Sequence, residues 1–547
     1  TNSSPASPLS HPPSWSKTLA LAFSSPLPPL RWYRMASSPF FVLVFLFSLF
    51  SAVISQPPRA RGLLIDCGAV ARYQADGLTW LPDAPFVSSG SSRTLAIPGL
   101  LPALSTVRTF PFDPSGGPRK FCYSFPAFRG AKYLVRTTYF YGGVNGRRPP
   151  PVFDQIVDGT FWAVVNTTAD YERNMSSYYE GVYMARGKTM SVCLGGNVFT
   201  DSDPFISAIE LIILEGSVYN TTDFSKHAMG LVARSSFGHS GPIFRYPSDK
   251  FDRFWQPFSD GTATITSSQN VPVSDFWNLP PLSIFGTALM ADQRKPLELQ
   301  WPLISLPNAS YYVALYFADP SFGNSRVFDV SINDINFYSN LKVTSSGASV
   351  FATQWTLSGL TKLTLTPSAG SNLPPLINGG EIFSFLTLGR MTHTRDVIAL
   401  ERVKKSIKNP PHDWNGDPCS PREFSWTGIT CSEESRVRVL MLDLTNMGLS
   451  GTLSPHIANL TALSEIRLGN NSFSGRIPDL TPLKRLEKLH LQDNQFSGVL
   501  PPSLGNLRNL RELLVQNNNL TGDIPVTLIR SGLFLQTSPG NHFILPP

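Results

Sequence analysis

The 547-residue sequence is poor in charge, with 15% Asp, Glu, Lys and Arg, and it holds five cysteines. Its longest apolar stretch, Phe40 to Ile54, falls short of the roughly twenty residues that a membrane-spanning helix needs. It has no Gly-x-Ser-x-Gly elbow, no His-Glu-x-x-His, no phosphate-binding loop and no kinase motif set. No enzyme activity is expected of such a chain. There is no Cys-x-x-Cys and no His at metal-ligand spacing beside a cysteine, so no metal site and no cofactor are expected. The 48 Pro and 40 Gly follow no collagen period, and 42% hydrophobic residues exclude a disordered polymer. What remains is a loop-rich, mainly β protein long enough for about three or four modules.

Residues 1–34 contain no acidic group and read as leader sequence that precedes Met35. From there a short n-region, the run Phe40 to Phe50, and the small residues Val53 and Ser55 make 35–55 a secretory signal peptide. Excluding Lys17, Arg31 and Arg34 lowers the net charge from +7 to +4, too little for nucleic-acid binding. Export is supported independently by seven Asn-x-Ser/Thr acceptors, at Asn166, Asn174, Asn220, Asn308, Asn459, Asn470 and Asn519. An oxidising compartment allows two disulfides and one thiol. The short loop between Cys419 and Cys431 favours that pairing, while Cys67, Cys122 and Cys193 stay unassigned.

Between Gly62 and Arg390 the chain repeats a pattern at a spacing near 175. Tyr133 to Tyr141 parallels Tyr311 to Asp319, Val152 to Asp158 parallels Val327 to Asn333, and Pro204 to Leu211 parallels Pro375 to Ile382. Short aromatic and β-branched runs between Gly, Pro, Asn and Ser clusters argue for two β-sandwich lobes in tandem, over 62–218 and 237–391. This region resembles the malectin-like extracellular domain of plant receptor-like proteins and kinases. The motifs that carry the resemblance are Ile65-Asp-Cys-Gly68, Thr79-Trp-Leu-Pro-Asp83, Phe121-Cys-Tyr123, Tyr133-Leu-Val-Arg136, Ser191-Val-Cys-Leu194, Phe244-Arg-Tyr-Pro247, Asp252-Arg-Phe-Trp255 and Leu373-Pro-Pro-Leu-Ile-Asn378.

Over 392–412 the residues Asp396, Val397, Ala399, Leu400, Val403 and Ile407 fit a short amphipathic connector helix. Asp413-Trp-Asn-Gly-Asp-Pro-Cys419 and Trp426-Thr-Gly-Ile-Thr-Cys431 resemble the cysteine-paired cap of the same receptor families, over 413–436. A solenoid's first repeat has no upstream neighbour, and a stapled, Trp-bearing segment can cover its apolar face. The repeats follow over 437–547, starting at Val439, Leu463, Leu486 and Leu510, with a degenerate fifth from Leu533. Leu463, Ile466, Leu468, Asn471, Phe473, Ser474, Gly475 and Ile477 show the leucine-rich-repeat pattern, and Asn471, Asn494 and Asn518 are expected to form a hydrogen-bonded ladder. The expected fold is therefore mainly β: two malectin-like sandwich lobes and a short capped solenoid.

The resemblance implies recognition of a cell-wall glycan, a secreted peptide or a co-receptor ectodomain, at the cell surface or outside it, with membrane anchoring through a segment missing from this chain. A secreted wall-associated adhesion protein is the alternative, and a glycan-acting enzyme a remote one. Sugar rings need aromatic faces beside a carboxylate or amide, which makes Trp80 with Asp83, and Tyr139 with Tyr141, the candidate ligand-binding residues. Packing in a β core explains the same aromatics and is the more economical reading. On the repeats, Met441, Glu465, Lys488 and Glu512, beside Asp443, Arg467, His490 and Leu514, read as a solvated face suited to a spacer or a docking surface.

Overall fold

The structure is a computed structural model that describes residues 62–544, apart from 116, 147–148, 268–270 and 320–325. The leader and signal-peptide readings lie outside the described residues. Among the described residues no helix is long and apolar enough to cross a membrane, and no group of His, Cys, Asp and Glu could hold a metal ion.

One sheet runs through both halves of the duplication. The first half contributes β1 (Gly62–Asp66), β2 (Lys132–Tyr139), β3 (Ser177–Met184) and β4 (Ala208–Ile213). The second contributes β5 (His227–Phe237), β6 (Leu306–Phe317), β7 (Ala348–Gly359) and β8 (Gly379–Thr387). Their spatial order is β1-β4-β2-β3-β5-β8-β6-β7, and a short hairpin from Tyr73 to Pro82 extends it beyond β1. The lobes join where β3 pairs antiparallel with β5, Gly181 opposite Gly230 and Val182 opposite Met229. Each lobe then closes on its own four-stranded sheet, one containing Lys120–Pro126 and Thr189–Gly196, the other Arg326–Ile332 and Lys362–Pro367. The duplicated segments take matching places, since the Tyr133 and Tyr311 runs form β2 and β6, and the Pro204 and Pro375 runs lead into β4 and β8. Position 237 falls at the end of β5, so the seam strand itself begins earlier, at His227.

Strand β2 is buried on both faces, which settles where its aromatics go. Tyr133, Val135 and Tyr139, with Tyr141 just beyond the strand, belong to the core of the first lobe, whereas Leu134 packs into a second core that reaches the other lobe. Alternation sends successive side chains to opposite sides, and here neither side meets water.

The connector helix α1 (Thr394–Ser406) buries Asp396, Ala399, Leu400 and Val403. Ala399, Leu400 and Val403 belong to the repeat core, so the helix acts as the upstream cover of the solenoid as well as a link. Asp396 accepts hydrogen bonds from Arg438 Nε at 2.8 Å and from Val439 N at 3.1 Å, which ties the helix to the first repeat strand. Trp414 and Trp426 stack at 5.2 Å within the cap, and a Cys419–Cys431 disulfide closes it.

The repeats build two sheets. One runs through Val439–Asp443, Glu465–Arg467, Lys488–His490, Glu512–Leu514 and Phe534–Gln536 in parallel, and the other starts at Ser450–Thr452 and ends at His542–Ile544. Asn471, Asn494, Asn518 and Asn541 each donate to a carbonyl of the preceding repeat, at 2.7, 2.8, 2.9 and 2.8 Å. A second row, at Asn446, Asn470, Asp493 and Asn517, takes positive φ in the turn that ends each strand. Asn470 donates to Asn446 at 2.8 Å and Asn517 to Asp493 at 2.6 Å, which makes a second, outer ladder.

Asn518 also accepts from Phe496 N at 2.9 Å. Replacing it by Leu leaves buried backbone groups without partners, at about 1–3 kcal/mol for each group lost. We expect Asn518→Leu to lower the protection of the Phe496 amide in hydrogen exchange while the sandwich lobes keep theirs. Unchanged protection at Phe496 would contradict the role of the ladder.

Candidate functional site

The strand registers place charged residues side by side across the seam. Arg136 on β2 stands opposite Glu180 on β3 and Glu210 on β4, and Arg234 on β5 stands opposite Glu381 on β8. Read across β4, β2, β3, β5 and β8 the order is Glu210, Arg136, Glu180, Arg234, Glu381, an alternation of sign. Arg136 donates to Glu210 and Glu180 at 2.8 Å each, Arg234 to Glu381 at 3.2 Å, and Arg234 also pairs with Glu180 across the lobe boundary. The segment after β5 covers this layer. Arg245 donates to Asp252 at 2.9 and 2.7 Å and to Glu210 at 3.3 Å, while Arg253 and the Trp255 indole both donate to Asp249, at 2.7 and 2.8 Å. The Arg136 guanidinium lies 3.5 Å from the Phe254 ring centroid.

Burial opposes the ionised state of Arg136, Glu180, Glu210, Arg234 and Asp252, and the pairing offsets it unevenly. Burial pushes the Glu210 carboxyl up to about 7 against the pull of Arg136 and Arg245. Asp252, although burial opposes it, is held below the usual carboxylate range by Arg245 and Arg136. The motifs Tyr133-Leu-Val-Arg136, Phe244-Arg-Tyr-Pro247 and Asp252-Arg-Phe-Trp255 thus meet in one buried layer. Sequence reasoning did not connect them. The available signal was an arginine inside the apolar strand run around Arg136.

The four candidate ligand-binding residues are not brought together as an open site. Asp83 is 0% exposed and is held by Arg108, which donates to it at 2.5 and 2.8 Å. Tyr139 is 0% exposed and donates to Gln155 at 3.0 Å. Tyr141 is buried in the same core, with its hydroxyl on Asn145. Trp80 is 6% exposed, stacks on Tyr73 at 6.4 Å, and only edges a cleft of about 70 Å³ shared with Phe254, Glu210 and Arg245. The expectation of sugar-binding sets at Trp80 with Asp83 and at Tyr139 with Tyr141 is therefore corrected: all four side chains are buried. Of the sequon asparagines, Asn174, Asn220, Asn308, Asn459, Asn470 and Asn519 are exposed and Asn166 is half-buried.

The cap packs on the first lobe, not on the second lobe that precedes it in the chain. Cys122 and Cys193, opposite each other on adjacent strands, form a disulfide, and Cys67 is a buried thiol. With Ile156 the disulfide packs against Phe424 of the cap. Gly416, at φ +66°, lies so close that a Cβ there would be 2.6 Å from Cys122 Sγ. Lys120 donates to the carbonyls of Asp417 and Ser420 from the lobe side, and burial lowers its pKa to about 8. Asp417 accepts from the amides of Thr392 and Cys419 at 2.9 Å each, and Arg186 donates to Gly389 O at 2.8 Å. The Gly-Asp-Pro-Cys motif is thus a joint: Gly416 makes room, and Asp417 orders the backbone that Lys120 holds.

Beside this joint opens a groove of about 540 Å³, lined from the lobe by Phe112, Phe121, Asp154 and Asn197 and from the cap by Glu423 and Phe424. It is the candidate site. Its volume lies within the range of ligand pockets.

Paired sandwich lobes on a common sheet are joined to a capped repeat array, and the comparisons with known proteins name the family. The model described as malectin-like domain matches residues 65–385, the leucine rich repeat N-terminal domain matches 393–432, and the leucine rich repeat matches 485–507 and 509–530. The chain belongs to the malectin-like domain family, in a form that carries leucine-rich repeats. It is 33% identical over 445 residues to the leucine-rich repeat receptor-like serine/threonine-protein kinase At2g14510 of Arabidopsis thaliana, covering 77% of this chain and 49% of that protein. It is 30% identical over 475 residues to the LRR receptor-like serine/threonine-protein kinase At1g51880 of the same plant, covering 82% and 53%. The chain thus spans about half the length of the curated relatives it matches. In fold it is similar to the crystal structure of the ANX2 ectodomain from Arabidopsis thaliana, with TM-score 0.50, 16% identity and coverage of 60% of this chain and 97% of that one.

Two outcomes are expected. Gly416→Val drives a side chain into Cys122, so calorimetry on the full chain should show the lobes and the repeats melting apart; a melting profile identical to that of the unmodified protein would dismiss the joint. Glu210 is raised from its ordinary 4.5 to about 7, and burial likewise raises Asp158, beside the joint, from 3.8 to about 6. A carboxyl raised on folding contributes most below its unfolded value, and that contribution is lost as pH climbs through the folded one. The melting temperature should therefore rise on acidification from about pH 7.5 to about pH 5, and Glu210→Gln should flatten the slope. A slope that Glu210→Gln leaves unaltered would count against this titration.

Proposed function

We propose that this chain is the extracellular recognition module of a plant cell-surface receptor-like protein, and that it acts by binding rather than by turnover. The observation that carries this reading is the groove of about 540 Å³ built jointly by a malectin-like lobe and the repeat cap. A ligand seated there touches both modules, and its binding energy then bears on their relative position. Exposed glycosylation acceptors and two disulfides support an oxidising, extracellular setting. The relatives named as receptor-like kinases support attachment to a signalling protein, and partners of the kind weighed from the sequence are a secreted peptide, a wall glycan or a co-receptor ectodomain. Adhesion to wall polymers without signalling is the second reading.

The test is location. Expressed in plant cells with its natural leader, the tagged protein should carry removable N-glycans and should be cut by protease added to intact protoplasts. A protease-protected, unglycosylated protein would sink the proposal.

A further inference from the structure

The groove has an apolar floor and an apolar lip. Phe121 and Phe424 are buried within it, and Phe112 and Pro204 extend the lining. The lip is the loop at Asn197 to Thr200, where Val198 is 91% exposed and Phe199 54%. This loop is held in shape. Asn197 Oδ1 accepts from Phe199 N at 2.9 Å, Asn197 N donates to Thr200 Oγ1 at 2.7 Å, and Thr200 Oγ1 donates to Val152 O at 2.6 Å. Exposed apolar side chains displayed by an ordered loop at the mouth of a cavity mark a contact surface for a macromolecule.

The groove's charge selects among partners. Arg119, its basic residue, is paired with Asp113 at 3.5 Å. Asp154 accepts from the Asn197 amide at 2.7 Å, and among the described residues neither Asp154 nor Glu423 is ion-paired with a cation. Burial raises the Asp154 carboxyl, and Glu423 on the cap raises it further. Asp154 is half-buried and Glu423 exposed, and two carboxylates that line one groove gain from a cation placed between them. An acidic wall polymer is repelled, and a neutral glycan supplies hydrogen bonds but no charge.

We infer that this groove binds an extended peptide segment of a secreted protein, in which an apolar side chain enters against Phe112 and Phe424 while an adjacent lysine or arginine meets Asp154 and Glu423. The word "secreted" rests on the extracellular reading above; the peptide chemistry does not. One carboxylate comes from the lobe and one from the cap, so the bound cation bridges the two modules.

The experiment uses the purified, glycosylated full chain and short fluorescein-labelled synthetic peptides near neutral pH. Peptides centred on Trp-Arg or Leu-Lys should bind, and their Trp-Glu and Ser-Arg counterparts should bind at least about tenfold more weakly. Asp154→Asn, which retains the bond to Asn197, and Glu423→Gln should each weaken the Trp-Arg peptide by about three- to tenfold, with the melting profile unchanged. Val198→Ser should weaken it as well, and Glu298→Gln, far away in the second lobe, should not. Equal binding of all four peptide classes, or full affinity in the Asp154→Asn/Glu423→Gln double variant, would overturn the inference. So would displacement of the Trp-Arg peptide by cello-oligosaccharide with higher affinity than any peptide. These measurements do not depend on cell-surface presentation, so the failure of one proposal is distinguishable from the failure of the other.

Discussion

A guanidinium taken wholly out of water must be matched by carboxylates on more than one side, and Arg136 meets that demand with Glu180 and Glu210 on its two neighbouring strands. Glu180 in turn reaches across the lobe boundary to Arg234, which pairs with Glu381. Each residue is thereby committed to a register, because sliding one strand by a single position would turn its charge to the opposite face and bury it unpaired. The layer is weak evidence for net stability, since desolvation consumes much of the Coulomb gain. Its consequence is specificity: the two lobes share a sheet in one alignment only.

That alignment determines what the rest of the molecule can do. Because β3 and β5 lie side by side, the second lobe's last strand ends near the first lobe, and Gly389 is held by Arg186. The chain then delivers α1 and the cap to the first lobe's small sheet, where the Cys122–Cys193 disulfide meets Gly416 and Phe424. The repeats are thus carried by a joint with a buried lysine, a disulfide and a glycine, a set of contacts with little room for play. The groove is a by-product of that docking, since neither module alone encloses it.

Much of the fold could be read from local pattern. Leucines recurring with the period of a repeat unit, asparagines at a fixed offset from them, and two tryptophans within a dozen positions of a cysteine pair all act on near neighbours, so spacing alone identifies them. The duplication was legible for a related reason, since both copies keep the same order of strands. The candidate ligand residues were not legible, because alternation along a strand tells which residues share a face but not whether that face is covered. Tyr139 and Leu134 lie on opposite faces of β2, and both are buried.

The amino-acid sequence by itself determined the malectin-like and leucine-rich-repeat modules, the capped start of the solenoid and the ladder of Asn471, Asn494 and Asn518. The repeats, their cap and the ladder depend on interactions between residues a few positions or one repeat apart, and the malectin-like modules were legible through their motifs and duplicated strand order. Only the tertiary structure decided which carboxylates Arg136 meets, which cysteine pairs with Cys122, and that Asp154 and Glu423 line the same groove. Those pairings join residues separated by tens to hundreds of positions, and they arise from strand order and module docking, which no local spacing encodes.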